Sequence, residues 1–509
     1  MYKPNFQKRE VIVFRQFQRK GYSLFACLGR EVLISVLSVA TLSATKAAGI
    51  SDETWRADAD HATTVQARHN APGKQTAGNG TTYSFATLAQ LPEFGVTYVD
   101  GAPGYYLVER NDTIAESDRF VLDENVIVKF EDQVTLVIKG EADFTVSDGS
   151  RTTFTRAHEL ATPYSIKVNN TQGARFRNVT FDYVGVESMT TGAIEVENCT
   201  FTNHTGTSAA ALYFITNGQQ SLIRDCLFET CKRAAIGSAA NASQPMTISR
   251  CQLKRNSTDN RNIPQINITA SKVTIDGCIV EGDSTSQTIN NMVGGIGISN
   301  FSAFPDTEVL VKDCQITHNR YGIGTVGPVN IRIEQNHIRD NNHEANPMNG
   351  GSGISLYDPY AMTTAVIAGN HIEGNIWGIT IIGCKDVNVG QPTASDVKSP
   401  GGNTFLNNGF DGQPYDLYNN SKLTVYAQNN KWSVSSQTEE QIESVIFHKN
   451  DDSSLGEVIF MPAYDNEAAI ALPRLQTPAA SGRYGLNGMR LPSSTTRQLF
   501  IENGKKYFR

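Results

Sequence analysis

The sequence predicts an all-β solenoid with a short β tail at its C-terminal end, and three observations predict it. A phrase of apolar, two residues, Asn or Cys, one residue, apolar recurs between positions 176 and 432 at spacings of 20 to 36 residues. A strand with isoleucine at alternate places follows most copies. Of the 40 Asn, 25 fall within 251–450, where the turns between those strands lie. Like residues returning to like places once per coil stack along an axis, with coils about 4.8 Å apart.

The chain opens on Lys3, Lys8, Arg9, Arg15, Arg19 and Lys20, followed by an apolar run over 32–44 and the small residues Ala44, Ala47 and Ala48. That order is the layout of a secretory signal, expected over 1–47. The run is too short to span a bilayer, so no transmembrane span is expected once the signal is removed. Removing 1–47 takes 8 Lys/Arg from 44 and 2 Asp/Glu from 51, leaving 36 against 49 and a net charge of −13. A surface so acidic repels a phosphate backbone, and no nucleic acid is expected as a partner. Residues 48–95 show little periodicity and read as a flexible lead-in.

The solenoid is expected over 96–462. Its first, less regular coils are carried by 126–130, 136–138 and 144–146, and its clearest phrases are 176–181, 196–201, 223–228, 248–253, 275–280 and 311–316. Each is short, rich in β-branched residues and bounded by Gly, Asn, Ser and Asp, which reads as strand and turn. Cys fills the central slot at Cys199, Cys226, Cys251, Cys278 and Cys314; Asn fills it at Asn336, Asn370, Asn403 and Asn430. Stacked Asn amides satisfy one another. Stacked Cys predict a buried column of free thiols, because parallel side chains have poor torsions for a disulfide. Cys226 and Cys231 lack the spacing and the neighbouring His of a zinc site, and no metal is expected.

These turn phrases and the Gly-Ile-x-Ile strands, over roughly 170–432, resemble the right-handed parallel β-helix of pectate-lyase-like proteins. Residues 442–460 are similar to the segment that closes such helices. Residues 463–483, rich in Ala and Pro, read as a linker. Residues 484–509, through 484–490 and 500–506, resemble the type IX sorting tails that Bacteroidetes attach to exported proteins. Together these resemblances imply a protein secreted from, or held on the outer-membrane surface of, a Gram-negative bacterium.

The resemblance also implies polysaccharide chemistry on the outer face of the Ile strands. A β-elimination there needs a cation such as Ca²⁺ or Arg and a base, and a hydrolysis needs paired carboxylates. Strand alternation puts Asn267, Gly297, Gly324, Ser355 and Thr380 in one outward column and Thr269, Ser299, Val326, Tyr357 and Ile382 in the next, with no ionisable group. No cofactor is expected, and Ca²⁺ enters only for a lyase. Loops supply the ionisable candidates: Lys254, Arg255, Asp259 and Arg261 in one cluster, and His318, Arg320, His343, Glu344 and Asp358 in the other. For an enzyme, His343, Glu344 and Arg320 are the catalytic candidates, set against the commoner reading of solvated loop charges.

Sugar rings stack on flat faces, which makes Tyr357 and the adjacent Asp358 the expected ligand-binding pair. Tyr360, Tyr321 and Trp377 extend the set, although Tyr321 and Trp377 equally suit packing. The expected function is a secreted or surface protein that binds a polysaccharide or surface glycan without turning it over. The alternative is a carbohydrate-active enzyme, a polysaccharide lyase or glycoside hydrolase.

Overall fold

The computed structural model describes residues 73–285, 291–344, 346–391 and 398–464, with three short strands near the C-terminus. Short β-branched segments form three long sheets. Sheet I has 14 strands from Thr82–Tyr83 to Val458–Ile459, and sheets II and III have 13 each, from Thr113–Ile114 to Ile446–Phe447 and from Val96–Val99 to Thr404–Leu406. One coil runs Ser165–Val168 in sheet II, Gly173–Arg177 in sheet I and Val179–Asp182 in sheet III, then re-enters sheet II at Gly185–Ser188. Each strand pairs in parallel with its counterparts one coil away, as Ser165–Val168 does with Gly185–Ser188. This is a right-handed parallel β-helix. The antiparallel pairing of Val96–Val99 with Tyr105–Val108 marks its N-terminal end.

Single left-handed residues make two of the three corners. Between sheets I and III they are Asn178, Asn198, Asp225, Arg250, Asp313 and Gln335, with φ of 50–59°. Asn and Asp tolerate this region because their short side chains bond locally. The next residue turns inward and occupies the slot of the recurring phrase. Cys199, Cys226, Cys251, Cys278 and Cys314 are all buried there and unbridged. Asn336 then donates to Asn370 (3.0 Å), Asn370 to Asn403 (2.9 Å) and Asn403 to Asn430 (2.9 Å).

A second column lies five residues on, after the corner between sheets III and II. Asn319 donates to Asn341 (3.0 Å), Asn341 to Asn375 (3.2 Å), Asn375 to Asn408 (3.1 Å), and Asn408 to the buried carboxylate of Asp416 (3.1 Å). In earlier coils the same slot holds His204 and Cys231, both fully buried. Along sheet III, Phe154, Phe181, Phe201 and Phe228 stack at 5.3, 4.6 and 4.7 Å.

Part of the stretch read as a lead-in is ordered. Residues 82–83 join sheet I, and helix α1 (Phe85–Leu88), closed by a Ser84/Thr87 capping box, buries Phe85 and Leu88 against the first coils. A helix of one turn has too few apolar residues to show a period. At the other end, helix α2 (Glu439–Glu443) and Trp432, stacked on Phe405 at 4.9 Å, close the core. The signal over 1–47, the linker and most of the tail lie outside the described residues. Of the tail, Tyr484–Gly485, Leu499–Glu502 and Lys505–Phe508 form an antiparallel sheet. Among the described residues no helix is long and apolar enough to cross a membrane.

Candidate functional site

The outer face of sheet II is the face the sequence singles out, and the strand register gives its composition. Asn267, Gly297, Gly324, Ser355 and Thr380 do lie in one column, and Ser299, Val326, Tyr357 and Ile382 in the next. The first column continues beyond the reach of the Gly-Ile-x-Ile pattern. Towards the C-terminus it adds Tyr418 and Phe447, with rings 4.9 Å apart. At the edge of the same face Trp377 lies 4.7 Å from Tyr415 and stacks on Tyr418 at 5.2 Å. Its indole N–H donates to the Pro347 carbonyl at 2.9 Å, which fixes the ring plane. All four rings are half-buried. Tyr357 is therefore one of several aromatics on this face.

Towards the N-terminus the same column carries Tyr213, Glu187 and Lys167. Lys167 pairs with Glu187 at 3.0 Å, and the carboxylate is 15% exposed. Burial, then the charge of Glu187, pushes the Tyr213 phenol above its ordinary pKa. The outer face is thus neutral in this column from Tyr213 through Gly237 to Thr380 and charged in the two coils before Tyr213, at Glu187 and Lys167. The signal was the alternation Val186, Glu187, Ser188, which lacks the glycine and isoleucine that mark the later strands.

The expected ligand-binding residues divide. Tyr357 is half-buried in its outward column, and Tyr360 is 68% exposed at the following turn. Asp358 is fully buried, and its carboxylate accepts the backbone N–H groups of Tyr360 (3.0 Å), Met362 (2.8 Å) and Thr363 (2.6 Å). It builds the turn that displays Tyr360 and does not present a carboxylate to a ligand. The Tyr321 ring lies over a glycine floor: a Cβ at Gly294 or Gly324 would sit 2.2 or 2.8 Å from its atoms. Burial pushes its phenol up to about 12. Tyr321 is a packing residue, whereas Trp377 lies with the aromatic group.

The catalytic candidates are not gathered around a reacting centre. Arg320 is 8% exposed and ties two loops together, donating to the Asn262 side chain and the Asn349 carbonyl. His343 is 4% exposed, with its ring 6.0 Å from that of His318; burial, then His318, lowers its pKa. Glu344 accepts the Asn346 N–H at 3.0 Å. In the other cluster Arg255 pairs with Glu229, while Asp259 meets Arg233 at 3.2 Å and Arg261 at 3.6 Å. Among the described residues no group of three or more His, Cys, Asp or Glu is placed to hold a metal ion.

Comparison with a family model agrees with the fold. The family described as the right handed beta helix region matches residues 144–324. No curated protein matches the chain. Among solved structures, the periplasmic alginate epimerase AlgG is similar at 10% identity over 75% of this chain and 83% of that one, with a TM-score of 0.41. Two point mutants of that epimerase match with TM-scores of 0.41 and 0.37.

Proposed function

We propose that this chain is an exported β-helix that binds a polysaccharide or surface glycan along the outer face of sheet II and does not turn it over. The observation that carries the reading is the aromatic group of Trp377, Tyr415 and Tyr418 on that face, with Tyr357 on the neighbouring strand five positions from the partner of Trp377, about 16 Å along the strand direction. Between them lie the half-buried Ser355 and the buried Thr380, whose hydroxyl is paired with that of Ser352 at 3.0 Å. Flat rings flanking a floor of small side chains suit a run of sugars better than a compact ligand. Stacking contributes on the order of 1 kcal/mol per ring, so affinity is modest and shared among several contacts.

A glycan array tests this. Wild type is expected to retain a defined set of glycans, and Trp377→Ala and Tyr357→Ala each to weaken binding about fivefold while circular dichroism stays unchanged. Equal binding by all three proteins, or none by wild type, sinks the reading.

The enzyme reading keeps one specific support, the outward Lys167, Glu187 and Tyr213. A paired carboxylate beside a phenol is chemistry for moving a proton at a sugar carbon. If it operates, an absorbance screen for unsaturated products on uronate polymers responds to wild type and fails with Glu187→Gln. Export rests on the basic, apolar and small order of 1–47 and on the likeness of 484–509 to sorting tails.

A further inference from the structure

A second surface lies where sheet III turns into sheet II, several coils before the aromatic group. It is a shallow cleft of about 300 Å³, lined among others by Tyr183, Thr205, Thr230, Lys232, Thr258 and Asp259. That volume is at the lower end for small-molecule sites, and the lining is mostly hydroxyl and charge.

Three observations set the cleft apart from an ordinary corner. The first is charge. Lys232 is exposed at its edge, Arg233 and Arg261 converge on Asp259, and the Arg156 guanidinium lies 3.8 Å above the Tyr183 ring. Asp259, Asp182 and Glu229 are the nearby carboxylates; Asp182 already accepts from Thr155, Thr202 and Asn203, and Glu229 pairs with Arg255. With Arg255, five cations thus stand near three carboxylates in a chain whose net charge is −7.

The second observation is the state of Asp259. Its side chain is 8% exposed, and neither carboxylate oxygen has a hydrogen bond among the described residues; the arginines hold it by charge alone. A buried carboxylate is expected to be hydrogen-bonded as well as paired, and hydroxyls of a ligand entering the cleft would complete it. The third observation is backbone strain. Thr230 (φ 56°) is the one β-branched residue among the described residues in the left-handed place that Asn203, Asp340 and Asn407 fill in other coils and that the bulky Tyr183 (φ 65°), Arg255 and His318 also occupy. A β-branched or bulky residue is costly there, and such outliers cluster at binding sites.

We propose that this cleft is a subsite for an anionic sugar, one carrying a carboxylate or a sulfate, within an acidic polysaccharide. Lys232 and Arg261 face the anion, while Asp259 and the threonine hydroxyls take the sugar hydroxyls. The proposal rests on the polysaccharide reading above and names its ligand class, but it uses none of the aromatic residues, so the two fail separately.

Affinity electrophoresis of the full chain through gels containing dextran, carboxymethyl dextran or dextran sulfate tests it. The three share a backbone, so charge is the variable and the two charged polymers distinguish carboxylate from sulfate. Wild type is expected to be retarded by at least one charged polymer, less so as salt rises, and far less by dextran. The double variant Lys232→Glu, Arg261→Glu is expected to lose at least tenfold in affinity, whereas Lys422→Glu, Lys431→Glu, with the same net charge, stays within twofold of wild type. Trp377→Ala is expected to keep the charge preference even where overall binding weakens. No retardation of wild type by either charged polymer, or equal losses in the two double variants, overturns the proposal.

Discussion

His204 shows what one residue in a repeating slot can do. It is fully buried, and neither ring nitrogen has a hydrogen bond among the described residues. Burial lowers its pKa from 6.5 to about 4. Between those values the unfolded chain binds a proton that the folded chain refuses, so stability falls as pH drops from about 6.5 towards 4. The loss is on the order of 3 kcal/mol at its fullest. Urea midpoints measured across this window are expected to fall less steeply in His204→Leu than in wild type; parallel pH profiles would mean that the ring finds a partner in solution. Asp358 teaches the opposite lesson. Beside an outward tyrosine it reads from sequence as a ligand group, yet backbone donors claim it first. A list of residue types does not say which polar groups a turn has already used.

Among the elements, the two Asn columns carry the corners. Asn370 accepts from the backbone and side chain of Asn336 and donates to Asn403 and the Ile333 carbonyl. Replacing it with Ala strands two buried donors on Asn336, its backbone N–H and one side-chain N–H, while Asn403 keeps the backbone N–H of residue 370; the cost is roughly 2–4 kcal/mol. Asn370→Ala is therefore expected to lower the denaturation midpoint clearly more than the exposed Asn346→Ala, and equal midpoints would show that water fills the gap. The first column was legible because the phrase around it repeats. The second was equally present, as Asn exactly five residues after the slot in 314/319, 336/341, 370/375 and 403/408, but its strand-side neighbours vary more. Trp377 was legible beside its Gly-Ile-x-Ile strand, whereas Phe447 and the charged outward residues were less so for a related reason. Their strands depart from Gly-Ile-x-Ile, and a face is assembled from coils whose loop lengths set which residues meet. Sheet I carries a further device: Arg177, Glu197 and Arg224 succeed one another in one column, with Arg224 2.8 Å from Glu197. Alternating charge favours the observed register over a slip.

For the whole molecule, the tail is separable from the binding surfaces in its expected role. Deleting 484–509 is expected to leave glycan binding intact in purified protein and to trap the protein behind the outer membrane in cells, checked by fractionation. Unchanged export would make the tail an ordinary terminal sheet. The strictly sequential strand order has another consequence. Five steps of sheet II separate Ala234–Ser238, just after Lys232, from Trp377–Gly383, which sets the basic cleft and the aromatic group about 24 Å apart along the axis. The solenoid therefore acts as a ruler graduated in coils. Because Leu310 pairs with Arg332, excising 311–332 joins equivalent positions and shortens the gap by one graduation, about 4.8 Å. A chain ligand that grips both marks is expected to change its preferred length accordingly, read out by competition with oligosaccharides of defined size. Lineages that gain or lose a coil could retune that length without rebuilding either grip.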